Sequence, residues 1–254
     1  LGVAIAKKYN GEIISADSMQ IYKGLDIATN KITKEEAAGI PHHLMSFVDA
    51  ATARYNIHQF RAEGLKVIEE IKSRGRIPVV VGGTAYYVES LLFEENIIET
   101  PGSYKNVMGN ISSLLHLQFT LRVEKMKQMG LRKELEDYYD ELINRDHFGV
   151  LQCIGLKEFI PYLELPKEER SSSKGDMLFE KGCDDVKLHT RQYARRQRNW
   201  VNSRFVRRQE AREVPSLKKL DTSNKDTFLA SGLNIVEQWM SGCDFKEEVS
   251  GFYK

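Results

Sequence analysis

Asp17 and Ser18 are the first residues whose type and position could support chemistry. They follow residues 12–16, a short run that favours a β-strand. A carboxylate at the end of a buried strand can act as a general base or bind Mg²⁺. Asp and Ser are also common caps of helices and turns. The residues alone leave both interpretations open.

Gly82, Gly83 and Thr84 form a second candidate site. They follow residues 77–81, an apolar run whose composition predicts a strand buried on both faces. Two glycines let a ligand approach the backbone closely, and Thr84 would begin a helix whose amides and hydroxyl can hold an anion. The alternative is a tight turn with Thr84 as an N-cap. For so short a motif, the residues alone favour that alternative.

Residues 187–208 contain eight Lys or Arg residues and no acidic residue, although the whole chain has a net charge of only +1. Periodicity predicts a helix with an apolar stripe of Tyr193, Trp200, Val201 and Phe205. A different face would carry Arg191, Arg195 and Arg198. A solvated surface is one explanation, but a run without acids favours contact with phosphates of a nucleic acid.

Composition and cysteine spacing exclude several classes of protein. The chain has 254 residues, 41% of them hydrophobic and 29% charged, and contains no run of 18 apolar residues, so we expect a soluble protein without a membrane span. Its three cysteines, Cys153, Cys183 and Cys243, are far apart, which argues against a disulfide scaffold or a zinc site. We expect His42 and His43 to be structural, and we expect no protein-ligated metal site.

The elements that must position these residues alternate along the first part of the chain. Helices are predicted at 1–9, 57–74 and 85–92, and strands at 12–16, 44–48 and 77–81. This alternation predicts an α/β fold with a parallel sheet. Ligands of such sheets bind at the carboxyl ends of the strands, where Asp17 and Thr84 would lie.

The second part of the chain has a different pattern. We predict a strand at 114–119, a charged helix at 121–145, an exposed loop at 166–176, one basic helix at 187–208 and an amphipathic helix at 227–240.

Taken together, the motifs resemble those of the tRNA dimethylallyltransferases, also called tRNA isopentenyltransferases, in their eukaryotic form. The specific matches are NGEIISADSMQIYKGLDIATNK, RIPVVVGGTAYYVESLL and TRQYARRQRNWV, which occur in the order of the family. Weaker matches lie between them: PHHLMSFVD, LRVEKM, GLRKELEDYY and QCIGLKEF.

The resemblance implies a fold, a reaction and partners. The fold would be an incomplete parallel-sheet core like that of P-loop nucleotide-binding proteins, with a mainly helical C-terminal part. The implied division is a core at 1–93, a junction at 94–120, a helical part at 121–208 and a tail at 209–254. The implied reaction moves a dimethylallyl group from dimethylallyl diphosphate to N6 of adenosine 37, next to the tRNA anticodon. Mg²⁺ would assist a monomeric, mitochondrial or cytoplasmic enzyme that contacts no membrane.

The resemblance also assigns roles to residues. The implied catalytic residues are Asp17 and Thr84. The target nucleotide would be contacted by Asp17, Ser18, Met19 and Gln20. The diphosphate would be bound by Gly82, Gly83 and Thr84. The remaining tRNA contacts would come from Arg191, Arg195, Arg196, Gln197 and Arg198.

Two family features are not found in the sequence. We expect the chain to lack the N-terminal P-loop, G-x-T-x-x-G-K-[ST], and the helical insertion domain that family members carry between residues 92 and 121. The expected consequence is little transferase activity in this chain by itself. Two other functions therefore remain as alternatives: an inactive tRNA-binding remnant, and a P-loop kinase for a small molecule or nucleotide.

Overall fold

The computed structural model describes residues 1–49, 55–93, 113–142, 149–206 and 217–242. Residues 94–112, which hold most of the predicted junction, lie outside the described residues. The same is true of Arg207, Arg208 and Cys243. The proposed division into domains stays a prediction.

The described strands form a parallel sheet, as the sequence predicts. Strands β1 (Gly11–Ser15), β2 (His42–His43) and β3 (Ile77–Val81) lie in the order β2-β1-β3. Central β1 is buried along its whole length. It pairs with β3 from Gly11 opposite Ile77 to Ser15 opposite Val81. The two strands therefore end at the same edge of the sheet.

Two predictions about the strands are wrong. The second strand is His42–His43 and not 44–48, because Leu44 and Ser46 have positive φ angles of 58° and 53°, which interrupt an extended run. Val48 forms only an isolated bridge with Tyr22. Strand β3 was expected to be buried on both faces, but it lies at one edge of the described sheet and Val81 is 42% exposed.

Four helices accompany the sheet: α1 (Gly2–Lys8), α2 (Lys34–Ala37), α3 (Ile57–Ser73) and α4 (Ala85–Leu92). The predicted helices at 1–9, 57–74 and 85–92 are confirmed. Helix α3 begins with a capping box between Asn56 and Gln59. Its buried Phe60 stacks on Tyr87 of α4 with ring centroids 3.9 Å apart, which fixes α4 after the end of β3.

The rest of the described chain is helical. Its α-helices are α5 (Ser113–Gln128), α6 (Leu131–Leu142), α7 (Ile160–Leu163), α8 (Lys167–Arg170), α9 (Ser173–Val201) and α10 (Lys225–Met240). Short 3₁₀-helices occupy Val150–Gln152 and Lys157–Phe159, and a π-helix, Asn202–Val206, continues α9. Helix α10 confirms the helix predicted at 227–240.

Three predictions for this part need correction. Residues 114–119 belong to α5 and form no strand. The charged helix at 121–145 is two helices, because Gly130 has a φ of 98°, which ends the first one. The loop predicted at 166–176 contains α8 and the start of α9, where the side chain of Ser172 accepts a hydrogen bond from the Gly175 amide.

The basic helix is longer at its start than predicted. Its first half is held in the hydrophobic core by the buried residues Phe179, Cys183 and Val186. Only its second half carries the arginines. Across the described ranges, no helix is long and apolar enough to cross a membrane.

Candidate active site

Asp17 lies just beyond β1, and its two carboxylate oxygens have different surroundings. Oδ1 accepts hydrogen bonds from the amides of Met19, at 2.9 Å, and Gln20, at 3.4 Å. No donor in the described part of the chain is hydrogen-bonded to Oδ2. The cap and the general base, which the sequence presents as alternatives, are therefore compatible: one oxygen caps the turn and the other is available to a ligand.

Thr84 joins the ends of the two long strands. It is the N-cap residue of α4, but its side chain does not cap the helix. Its Oγ1 instead accepts a hydrogen bond from the Ser18 amide at 2.9 Å and donates one to the Ser18 hydroxyl at 3.2 Å. Backbone bonds from Ala16 to Val81, 2.8 Å, and from Thr84 to Ala16, 3.1 Å, add to this connection. Thr84 is 1% exposed, so it holds the turn that carries Ser18 from the buried side.

The two glycines differ in the atoms that they face within the protein. A Cβ atom on Gly82 would lie 2.2 Å from the carbonyl oxygen of Ala16. One on Gly83 would lie 2.5 Å from Nε2 of Gln197. The backbone contact at Gly82 excludes any larger residue, whereas a side chain at Gly83 would displace the flexible end of Gln197 and its hydrogen bond. The part of the glycines in binding a diphosphate stays a prediction.

Helix α9 crosses this edge and contacts the same turn. Gln197 donates a short hydrogen bond from Nε2 to the Gly83 carbonyl, and the Tyr193 hydroxyl donates to that oxygen at 3.4 Å. Burial and the nearby Asp17 carboxylate raise the pKa of Tyr193, which keeps its hydroxyl protonated and able to donate. The aromatic face of the helix is thus docked against the sheet edge.

A cavity of about 500 Å³ opens beside these residues. The predicted site residues that line it are Asp17, Ser18, Met19, Gln20, Gly83, Arg196 and Gln197. The predicted site residues that do not line it are Gly82, Thr84, Arg191, Arg195 and Arg198. The structure therefore brings the strand-end motifs and one arginine of the basic helix together, and leaves the other arginines outside the cavity.

The loop after Gln20 forms one wall of the cavity and is held at several points. Gln20 donates from Nε2 to the carbonyls of Thr29 and Asn30, both at 3.2 Å. The carboxylate of Glu134, on α6, accepts the amides of Ile27 and Ala28 at 2.8 and 2.9 Å. A buried Lys31 closes the loop through bonds to Tyr22, Gly24 and Asp26.

Several residues of the site were not singled out from the sequence. Arg122 and Lys157 line the cavity and bring positive charge to it. Glu134 holds the cavity wall. Each of the three lies in a segment that resembles the family, LRVEKM, QCIGLKEF or GLRKELEDYY, but the resemblance assigned them no role. Their position in those segments was the one sequence signal from which a role in the site could have been inferred.

Comparison with known proteins identifies the family to which this chain belongs. The sequence profile described as IPP transferase matches residues 20–113 and 101–204, which is most of the chain. The chain belongs to the IPP transferase family. The resemblance to tRNA dimethylallyltransferases in the sequence is thereby confirmed.

Relatives of this IPP transferase occur in eukaryotes and bacteria. A human tRNA dimethylallyltransferase is 28% identical, with 95% of this chain and 72% of the human protein aligned. A Streptococcus suis tRNA dimethylallyltransferase is 31% identical, with 81% of this chain and 85% of the bacterial protein aligned.

Solved structures agree with the sequence relatives. A eukaryotic dimethylallyltransferase acting on tRNA superposes with a TM-score of 0.75 at 26% identity, over 98% of this chain and 77% of that one. The fold also matches a tRNA isopentenylpyrophosphate transferase from Staphylococcus epidermidis, with a TM-score of 0.70 at 24% identity, over 95% of this chain and 94% of that one. The predicted fold class is confirmed.

The histidine pair of this IPP transferase does not line the cavity and has protein partners. His43 Nε2 lies 2.5 Å from Oε2 of Glu12, and His42 Nδ1 lies 2.8 Å from the Ile40 carbonyl. Within the described ranges, no group of three or more His, Cys, Asp or Glu residues could hold a metal ion. Burial raises the pKa of the Cys153 thiol to about 12, which leaves it protonated beside the cavity.

Proposed function

We propose that this IPP transferase moves a dimethylallyl group from dimethylallyl diphosphate to N6 of adenosine 37 in tRNA. The relatives described above carry the name of that activity. The observation that carries the proposal is Asp17, which lines a cavity of about 500 Å³ and keeps one carboxylate oxygen free of hydrogen bonds from the described residues. That oxygen is suited to receive a proton from a nucleobase amine.

The proposed reaction is a nucleophilic displacement. The N6 lone pair attacks C1 of the dimethylallyl group, the C1–O bond breaks, and its electron pair leaves with the diphosphate. Positive charge develops on N6 and is stabilised by the Asp17 carboxylate, which takes the N6 proton on Oδ2. The adenine must leave its stack to reach the cavity, as in other enzymes that modify a base.

Positive charge for the leaving diphosphate is supplied by two side chains that line the cavity, Arg122 and Lys157. We place the Gly83 backbone beside the same group. Thr84 is buried and bonded to Ser18, so its proposed contribution is to hold the turn that carries Ser18 and Asp17.

Mg²⁺ fits this site as an ion carried by the substrate. The described residues offer no cage of three or more ligands, and Asp17 is the carboxylate that lines the cavity. Because the free oxygen of Asp17 is assigned to the N6 proton, oxygens of the diphosphate and water would supply the ligands of Mg²⁺. When bound, it would neutralise charge on the diphosphate.

The exposed part of α9 is the proposed contact for the tRNA backbone. Among the described residues, none of Arg191, Arg195 and Arg196 has an ion-pair partner, whereas Lys187 on the same helix pairs with Asp184 at 3.0 Å. Guanidinium groups without a carboxylate partner are available to phosphates.

A transfer assay, with tRNA binding and ATP-dependent phosphoryl transfer measured in parallel, separates the proposed function from its alternatives. The purified chain is incubated with tRNA, Mg²⁺ and labelled dimethylallyl diphosphate, and label on adenosine 37 is measured. The matched variants are Asp17→Asn, which keeps an acceptor for the Met19 amide, and Asp137→Asn on the exposed surface of α6.

We expect a low rate of label transfer by this chain alone, which Asp17→Asn lowers by about 10²–10³-fold and Asp137→Asn leaves unchanged. Binding of tRNA without transfer would support the inactive remnant instead. ATP-dependent phosphoryl transfer would support a kinase. Equal rates for the wild type and Asp17→Asn would contradict the role of Asp17.

A further inference from the structure

Glu89 is a buried carboxylate that lies outside the cavity. It is on α4, six residues after Gly83, and is 7% exposed. Its Oε2 accepts the indole N–H of Trp200 at 3.0 Å. Its Oε1 accepts two hydrogen bonds from Arg204, one from Nε at 3.0 Å and one from Nη2 at 2.6 Å. Arg204 is also 7% exposed, so a charged pair is buried between α4 and the end of α9.

Earlier in α9, two side chains contact the turn that leads from β3 into α4. There, Gln197 and Tyr193 donate to the Gly83 carbonyl. The four side chains of this helix face are spaced by four, three and four residues: Tyr193, Gln197, Trp200 and Arg204. Gly83 and Glu89 both belong to the segment that runs from β3 into α4. Two attachment points on one rigid segment fix the rotation of α9 about its axis and its shift along that axis.

A charged pair specifies this arrangement more tightly than apolar packing. Buried ion pairs contribute little net stability compared with apolar residues of similar size, but their hydrogen bonds have direction. Arg196 precedes Gln197 and lines the cavity. Because each helical residue is turned by about 100°, a slip of one position would carry Arg196 away from the cavity.

The backbone at this point is also unusual. Arg204 lies in the π-helix Asn202–Val206, and single π-helical turns are rare and occur often at functional sites. The wider turn begins right after Trp200 and Val201. It therefore separates the part of the helix that faces the cavity from the chain that follows.

We propose that Glu89, Trp200 and Arg204 form a latch whose task is to position Arg196 and Gln197 at the active site. The three are positioning residues, since they line no part of the cavity. The inference rests on the proposed function in one respect, which is that Arg196 meets an RNA phosphate.

The first test does not involve RNA. The side-chain amide signal of Gln197 is followed by NMR in the wild-type chain and in Glu89→Gln, and is assigned by its loss in Gln197→Glu. Opening of the latch is expected to speed solvent exchange of that amide about tenfold. A folded Glu89→Gln chain whose Gln197 amide exchanges at the wild-type rate would overturn the proposal.

The second test measures the salt dependence of tRNA binding. In Glu89→Gln, Arg196 is expected to lose one phosphate contact. The plot of log K against log salt should then be less steep, with a slope smaller in magnitude by about 0.7–0.9. A smaller folded fraction would reduce the amount of binding-competent protein without changing that slope. An unchanged slope would count against the latch. Failure of the wild-type chain to bind tRNA would refute the proposed function, and the Gln197 measurement would still decide on the latch.

Two further variants guard against simple unfolding. The double variant Glu89→Leu with Arg204→Met removes both buried charges and leaves neither unpaired, and we expect it to fold and to show the same two changes. Glu180→Gln breaks a pair with Lys127, 2.8 Å, that also ties α9 to its neighbour but lies far along the helix. It should leave both readouts unchanged.

Discussion

The Oγ1 atom of Thr84 accepts the amide of Ser18 at 2.9 Å, and this bond ties the turn after β1 to the turn after β3. The site therefore depends on two strand ends that are about 66 residues apart in the chain. We expect Thr84→Val to leave the Ser18 amide unpaired, lower the free energy of unfolding by about 1–3 kcal/mol and slow label transfer. Urea denaturation and the transfer assay measure these effects.

Thr84→Ser is the control for that change, because it retains the hydroxyl. It should restore most of the transfer rate that Thr84→Val loses. If both variants were equally impaired, the methyl group and not the hydrogen bond would be the important feature.

Glu134 is expected to hold the wall of the cavity through the amides of Ile27 and Ala28. Glu134→Gln offers one acceptor oxygen and an NH₂ group that cannot accept, so one of the two amides loses its partner. Hydrogen exchange of these amides should become about tenfold faster, with a smaller affinity for tRNA.

Asp137→Asn lies on the same helix and removes an exposed pair with Lys133. It should leave exchange at residues 27 and 28 unchanged. Slow exchange at both amides in Glu134→Gln would show that the loop is held without this carboxylate.

Glu12 is expected to make stability depend on pH. Burial tends to raise the pKa of this carboxyl, but hydrogen bonds from His43, Arg74 and Arg76 outweigh it and lower the pKa to about 2. As the pH falls, Glu12 is therefore protonated in the unfolded chain at a higher pH than in the folded chain. The free energy of unfolding should be largest above about pH 4.5, the ordinary pKa, and should fall as the pH drops from 4.5 to 2.

Glu12→Gln should lower the free energy of unfolding by about 2–4 kcal/mol at pH 7 and flatten the acid part of the profile. Glu69→Gln, which removes an exposed pair with Lys72 on the surface of α3, should change neither. Denaturation measured between pH 2 and 7 compares the three chains. If the free energy of unfolding depended on pH in the same way in the wild type and in Glu12→Gln, Glu12 would be excluded as the source of that dependence.

Arg196 and Arg195 are neighbours with different expected roles. Arg196 lines the cavity and Arg195 does not, although both are exposed. Arg196→Ala should lower both tRNA affinity and the rate of transfer from bound tRNA. Arg195→Ala should lower affinity with little effect on that rate. Single-turnover rates at saturating protein separate the two effects, and equal rates for both variants would refute the distinction.

Local sequence was enough to predict the elements whose signals are strong and short in range. Strands β1 and β3 and helices α1, α3, α4 and α10 follow from composition and apolar periodicity. The parallel sheet followed from their alternation. Strand β2 and the start of α9 were misplaced, because positive φ angles at Leu44 and Ser46 and packing around Gly175 are not visible in composition.

The sequence by itself determined the residue types of the site and, through its motifs, the family. Asp17, Thr84 and the arginines of α9 could be named without a structure. Only the tertiary structure decided which of them meet. Gln197 reaches Gly83 across 114 positions, and Glu89 reaches Arg204 across 115. Such contacts depend on how whole helices pack, and helical periodicity specifies a face of a helix but not the partner of that face.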